Sequence, residues 1–164
     1  MGEHLKLGIV SDTHGLVRPE LLALLEGVDA ILHAGDVGDE EVIWILETIA
    51  PVHAVTGNVD GLEYPERLEV AFMGRRFGLT HGHLVAPKDR TRALLNAFPD
   101  ADFVIYGHTH VPKFEKIGKT TVLNPGSAGA KRFRQPVTAG ILELTPEDYR
   151  WSLHDFETGQ EHRP

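Results

Sequence analysis

Seven side chains of metal-ligand type stand beside glycines or just beyond short apolar runs. They are Asp12 and His14 in Ser-Asp-Thr-His-Gly, Asp36 in His-Ala-Gly-Asp, and Asn58 in Thr-Gly-Asn-Val-Asp. His81 follows in Thr-His-Gly-His, and His108 and His110 in Tyr-Gly-His-Thr-His. Carboxylates, imidazoles and one amide suit borderline divalent cations better than Ca²⁺, which prefers oxygen donors throughout. With no cysteine in the chain, disulfides and thiolate-bound zinc are excluded. A set this large can hold two metals, and a metal pair suits phosphoryl chemistry.

Taken singly, most of these signals are weak. Asp-x-His recurs by chance, Gly-Asp is an ordinary turn, and Gly-Asn is a common left-handed turn. Asp36 has two carboxylate oxygens with which to bridge two cations. His108 and His110, on alternate residues after a glycine, form the sharpest local signal. His83 is expected beside the centre or against substrate, and His33 as a partly buried buttress of Asp36. His4, His53, His154 and His162 read as structural or exposed.

These residues must be positioned by regular elements. Leu5 to Val10 is a short apolar strand, and Pro19 opens a helix with Leu21, Leu22, Leu25 and Val28 inward. Ala30 to His33 is a second strand. Asp39 can cap the next helix, where Val42, Ile45, Leu46 and Ile49 repeat at helical spacing until Pro51. His53 to Val55 is a third strand. The βαβαβ order predicts parallel strands with right-handed crossovers.

The second half changes character. Leu68 to Phe72 and Arg76 to Thr80 flank Met73-Gly74-Arg75 as a hairpin. A helix from Arg90 to Phe98 and a strand from Phe103 to Tyr106 follow. Phe114 to Ile117 and Thr120 to Leu123 flank Gly118-Lys119 as a second hairpin. Val137 to Leu144 and Tyr149 to His154 close the chain as antiparallel strands. With no repeat or linker in sight, residues 1–156 are expected to form one domain and 157–164 a polar, frayed tail. The ligand-type residues thus fall after successive strands, and carboxyl ends of strands in open α/β sheets face a common crevice.

The formal charge of −8 disfavours an extended nucleic-acid partner, which wants clustered Lys and Arg. The one basic cluster, Lys131-Arg132-Phe133-Arg134, reads first as a solvated loop, with a binding patch as the second reading. No apolar run approaches the roughly 20 residues that span a bilayer. Met-Gly-Glu-His-Leu-Lys enters the first strand without a secretory signal, so a cytoplasmic location is expected.

The succession Asp12-x-His14, Gly35-Asp36, Gly57-Asn58, His81-Gly82-His83 and Gly107-His108-x-His110 resembles the calcineurin-like metallophosphoesterases. With Asn124-Pro125-Gly126-Ser127 and the small size, it is most similar to their compact YfcE-type phosphodiesterase branch. The resemblance covers roughly Leu5 to Leu144 and implies a four-layer αββα sandwich, two mixed β-sheets flanked by helices. It implies one metal on Asp12, His14, Asp36 and His110, a second on Asp36, Asn58, His81 and His108, and a shared hydroxide as nucleophile. Asp36, Asn58, His81 and His83 are the residues it brings nearest the reaction.

The implied activity is hydrolysis of a small phosphodiester, with two divalent ions, Mn²⁺ first and Fe²⁺, Zn²⁺, Ni²⁺ or Co²⁺ as alternatives. A dimer or tetramer fits the same resemblance. Phosphomonoester hydrolysis and a catalytically idle Vps29-like protein-binding scaffold are the competing functions. One departure stands out. Many members of the wider family carry His after the Gly-Asn pair, whereas this chain has Val59, which cannot donate a proton. General acid catalysis is typically worth about 10²–10⁴-fold, so activated or aryl esters are the expected favourites unless His83 or a water substitutes.

Overall fold

A computed structural model describes residues 3–58, 60, 61 and 63–164. Val59, on which the leaving-group expectation turns, lies outside the described residues. Along the chain run β1 (Leu5–Val10), α1 (Pro19–Leu25), β2 (Ala30–His33), α2 (Glu40–Glu47), β3 (Val52–Ala54), β4 (Arg67–Phe72) and β5 (Arg75–Thr80). A 3-10 turn (Pro87–Asp89) leads into α3 (Arg90–Ala97). Then come β6 (Phe103–Ile105), β7 (Lys113–Ile117), β8 (Thr120–Asn124), β9 (Thr138–Leu144), β10 (Tyr149–Asp155) and β11 (Glu161–His162).

The strands form two mixed sheets, ordered β11-β10-β9-β1-β2-β3 and β4-β5-β6-β8-β7. The expected parallel β1–β2–β3 set is present, extended antiparallel through β9 and β10. In the second sheet β5, β6 and β8 are parallel, with β4 and β7 antiparallel at its two edges.

Period-two burial makes the layers. Leu7 and Ile9 of β1 and Leu32 of β2 face Phe77, Leu79, Phe103, Ile105 and Leu123 across the inter-sheet core. Their alternates Val10 and Ile31 face outward, onto Leu21 and Leu25 of α1 and Val42, Ile43 and Leu46 of α2. On the far side Leu94 and Phe98 cover Val104 and Val122. The order is therefore helix, sheet, sheet, helix, the four-layer α/β sandwich that the resemblance implies, with α3 on the second flank.

The helices are short and end as their chemistry dictates. Pro19 stands in the first turn of α1, and Asp39 caps α2 by accepting the Glu41 amide at 2.9 Å. Ile43, not Ile45, completes the fully buried face of α2, because the helix points a neighbouring residue into the sheet. The first hairpin closes with two residues rather than three: Phe72 pairs with Arg75, and Met73 and Gly74 both have positive φ, at 51° and 75°, as a primed turn requires. β3 begins and ends one residue earlier than expected.

The final segment, expected as a polar tail, carries a short strand. Asp155 accepts the amides of Glu157 and Thr158 through its carboxylate, the chain turns at Gly159, and β11 pairs with β10. An open sheet edge supplies main-chain partners regardless of side-chain polarity. No helix of the described residues is long and apolar enough to cross a membrane.

Candidate metal centre

The carboxyl ends of β1, β2, β5 and β6 meet at one edge of the sandwich, and main-chain hydrogen bonds zip their loops together. Asp12, His14 and Gly15 donate their amides to Gly35, Asp36 and Val37 at 3.0, 2.9 and 2.7 Å. Gly107 donates to the carbonyl of His81 at 3.0 Å, and Ala128 to that of Ser11 at 3.0 Å. Close approach excludes a side chain at two points. A methyl on Gly57 would collide with Asp36, and one on Gly107 with the Ser11 hydroxyl.

The loops are also bent unusually. Asp12, His14, Asp36, His108 and His110 all adopt left-handed backbone, with φ of 56°, 47°, 53°, 68° and 62°. Non-glycine residues avoid this region, and clusters of such outliers mark functional sites.

All seven expected ligands come together. Asp12 Oδ1 lies 3.2 Å from His110 Nε2 and 3.6 Å from His14 Nε2. Asp36 Oδ2 lies 3.2 Å from His81 Nε2 and 3.6 Å from His14 Nε2. The Asn58 carboxamide oxygen stands 3.0 Å from His81 Nε2 and 3.3 Å from His108 Nδ1. By proximity, two groups emerge with Asp12 in common: Asp12, His14 and His110, and Asp12, Asp36 and His81. His83 flanks them, its ring 5.4 Å from His81 and 6.4 Å from His108.

The donor atoms fit a divalent cation. Asp12 Oδ2 is fully engaged, accepting the Ser11 hydroxyl at 2.5 Å and the His108 amide at 3.1 Å. Its other oxygen, Oδ1, and His14 Nε2 are buried without a hydrogen-bond partner. Buried polar atoms are rarely left so, and these two face the same point. The Asn58 oxygen adds to this, standing 3.1 and 3.2 Å from the two Asp36 oxygens. Rotating that amide would let its NH₂ group donate to Asp36; the oxygen suits the position once positive charge lies among these acceptors.

A surrounding shell holds the ligands. His81 Nδ1 donates to the Ala34 carbonyl at 2.7 Å, which turns the Nε2 lone pair toward the centre. The Gly35 amide donates to His33 Nδ1 at 3.1 Å, so His33 Nε2 carries the proton and donates to Thr13 Oγ1 at 3.0 Å. His33 thus buttresses the residues beside Asp36 and Asp12 rather than Asp36 itself. Ser127 donates to the Asp12 carbonyl at 3.0 Å, and Asn124 to the Gly107 carbonyl at 3.1 Å. These bonds make the Asn-Pro-Gly-Ser turn a clamp on both ligand loops.

Asp60 is the residue that sequence reasoning missed. Its carboxylate accepts the amides of Gly57 at 2.9 Å, Gly38 at 2.9 Å and Val37 at 3.2 Å, tying the Asn58 loop to the Asp36 loop. The available signal was its place three residues after Gly57, where a carboxylate can reach back to the turn amide.

Proton affinities follow from burial and charge. Burial raises the Asp12 carboxyl, but the nearby imidazoles of His110 and His14, the charge of His81 and the Ser11 hydroxyl outweigh it and lower its pKa overall. Burial lowers the basicity of His83 and of His108; His81 adds to both effects and Arg90 to the second. Burial opposes protonation of His81 as well, yet Asp36 and Asp12 raise its pKa overall. His33, fully buried, is pushed down to about 4 by desolvation.

The remaining histidines lie elsewhere. His4 is exposed near Glu143, His53 packs edge-on to Phe72, His154 bonds Ser152, and His162 is on the outer strand. Lys131, Arg132, Phe133 and Arg134 are exposed, and Lys131 pairs with Glu157 at 2.9 Å.

Comparison with known proteins agrees with this geometry. Residues 5–147 match the model of the calcineurin-like phosphoesterase superfamily domain. A probable metallophosphoesterase of Methanothermobacter thermautotrophicus is 38% identical over 140 residues, 79% of this chain and 81% of its own. The phosphodiesterase YfcE of Escherichia coli is 34% identical over 106 residues, 59% of this chain and 55% of its own. Its solved structure superposes over 98% of both chains with a TM-score of 0.73 and 26% identity. Vacuolar Protein Sorting 29 of Cryptosporidium parvum shares the fold at a TM-score of 0.85 and 19% identity, over 98% of this chain and 96% of its own. A family match across residues 5–147, nearly the whole chain, makes this protein a member of the calcineurin-like phosphoesterase superfamily.

Proposed function

We propose that the chain is a dinuclear metal-dependent phosphodiesterase. The observation that carries this reading is the pair of buried, partnerless donor atoms, Asp12 Oδ1 and His14 Nε2, beside a second group built on Asp36 and His81. Asp12, His14, Asp36 and His110 would hold one cation, and Asp36, Asn58, His81 and His108 the other. Asp36 is the better bridge: its Oδ2 lies within 3.6 Å of both His14 and His81, whereas Asp12 has one oxygen committed to Ser11 and His108. Two cations held by these residues would supply Lewis acidity toward a phosphoryl oxygen and lower the pKa of a water toward neutral pH.

The chain's own groups do the rest. Asn58 and His81 converge where charge develops on the phosphoryl oxygens. His83, its basicity lowered by burial, would flank the substrate beside His81 and His108. Ser127 is no nucleophile, since its hydroxyl is spent on the Asp12 carbonyl and accepts the Gly129 amide.

Diester rather than monoester preference follows the likeness to YfcE. Mixed nitrogen and oxygen donors without thiolate admit Mn²⁺, Fe²⁺, Zn²⁺, Co²⁺ or Ni²⁺, and Mn²⁺ comes first by the family resemblance. The net charge of −8 disfavours an extended nucleic-acid substrate and suits a small phosphodiester. Bis-p-nitrophenyl phosphate and p-nitrophenyl phosphate should be assayed after EDTA treatment and after Mn²⁺ return. Turnover restored by the metal and faster on the diester is expected; faster monoester turnover would make the chain a phosphomonoesterase. No turnover in either state would favour a protein-binding role.

A further inference from the structure

A cavity of about 390 Å³ lies between the 3-10 turn, the first turn of α3 and the first residue of β7. Lys88, Arg90, Arg92 and Lys113 line it, with Asp89 the one acid and buried Tyr106 among its walls. In a chain of net charge −8 this is a local reversal of sign. The Lys113 ammonium is already engaged, 3.2 Å from Thr91 Oγ1 and 3.1 Å from Glu115. Among the described residues Lys88, Arg90 and Arg92 make no ion pair. Arg90 Nε is buried with no hydrogen-bond partner, a costly state for a charged donor until an acceptor arrives.

The cavity adjoins the metal centre through the chain itself. Tyr106 is two residues before His108, and Lys113 three after His110. An extended chain spans at most about 3.3–3.6 Å per residue, so the Cα atoms of Tyr106 and Lys113 lie within roughly 7 and 11 Å of those of His108 and His110. Guanidinium groups present paired donors that match phosphate oxygens, and a nearby ammonium adds charge.

We propose that this cavity is a phosphate subsite, and that the preferred substrate is a phosphodiester carrying a second phosphoryl group a few bonds from the scissile phosphorus. The substrate assignment rests on the phosphodiesterase reading; the subsite does not. Two experiments separate them.

In EDTA-treated protein, the Arg90 side-chain Nε–H resonance should shift saturably as inorganic phosphate is added. Lys88→Gln/Arg92→Gln, which keeps the reporter, should weaken that binding roughly tenfold or more, as loss of charge-assisted hydrogen bonds implies. An unmoved resonance, or unaltered affinity in the double variant, would overturn the subsite. With Mn²⁺ present, the p-nitrophenyl ester of thymidine 5′-phosphate is compared with its 3′-phosphorylated counterpart. The added phosphate should raise kcat/KM by roughly tenfold, and Arg90→Gln should bring the ratio near one. A ratio near one in the unaltered enzyme would overturn the substrate assignment. Phosphate binding at Arg90 without turnover of either ester would reject the phosphodiesterase reading and that assignment with it.

Discussion

His81 Nδ1 stands 2.7 Å from the carbonyl oxygen of Ala34. Ala34 leaves β2 in the first sheet and His81 leaves β5 in the second, so this one bond crosses the seam of the sandwich where the candidate ligands gather. It sets the tautomer of His81 and the spacing between the two sheets' contributions to the site.

His81→Ala and Asp36→Asn each remove a donor from the centre. Both proteins should fold, lose at least about 10²-fold in turnover of bis-p-nitrophenyl phosphate, and bind less manganese. Elemental analysis of the dialysed proteins, beside their circular dichroism, checks this. Full metal content and full activity in both would remove the ligand assignment.

Asp60 accepts main-chain amides from two candidate ligand loops and so fixes them to each other. Asp60→Ala leaves the amides of Gly57, Gly38 and Val37 without their acceptor. Loss of such a supporting contact typically weakens metal binding about 10–100-fold. Isothermal titration with Mn²⁺ measures the effect, and an unchanged affinity would reduce Asp60 to an ordinary turn residue.

Gly57→Ala drives a methyl into Asp36. Overpacking of this kind costs about 1–3 kcal/mol, so the melting temperature should fall and Mn²⁺ binding with it. A protein with unaltered melting and metal affinity would show that the loop has room to give.

His33 carries a pH dependence of stability. Its pKa falls from 6.5 to about 4 on folding, because burial disfavours the imidazolium. Above the higher value neither state is protonated there and the full stability is present. Between the two, only the unfolded chain takes up the proton, so stability drops as the pH falls. The shift corresponds to on the order of 3 kcal/mol. NMR titration of His33 in metal-free protein should show a neutral ring down to about pH 5, with urea midpoints declining over the same range. A ring that titrates near 6.5 would contradict it.

Graded leaving groups address Val59. With no histidine at that position, rates should depend steeply on the leaving group's pKa across a series of aryl and alkyl methyl phosphates. A flat series would mean that another group, His83 first, supplies the proton.

Much of this protein is written in local pattern. Apolar runs bounded by glycine, proline and acidic caps locate β1, β2, α2 and both hairpins, because burial and turn chemistry act within a few residues. Donor type and adjoining glycines mark the seven candidate ligands that the fold gathers, since donor chemistry and close backbone approach are properties of the residues themselves. Convergence is another matter. The bonds from Asp60 to Val37, from Ser127 to Asp12 and from His81 to Ala34 join residues 23, 115 and 47 positions apart, and no local pattern encodes them. The return of Glu161–His162 to the sheet is the same lesson in small. A polar tail has no reason of its own to be a strand; the open edge of β10 provides one, and that edge exists only once the sheets have formed.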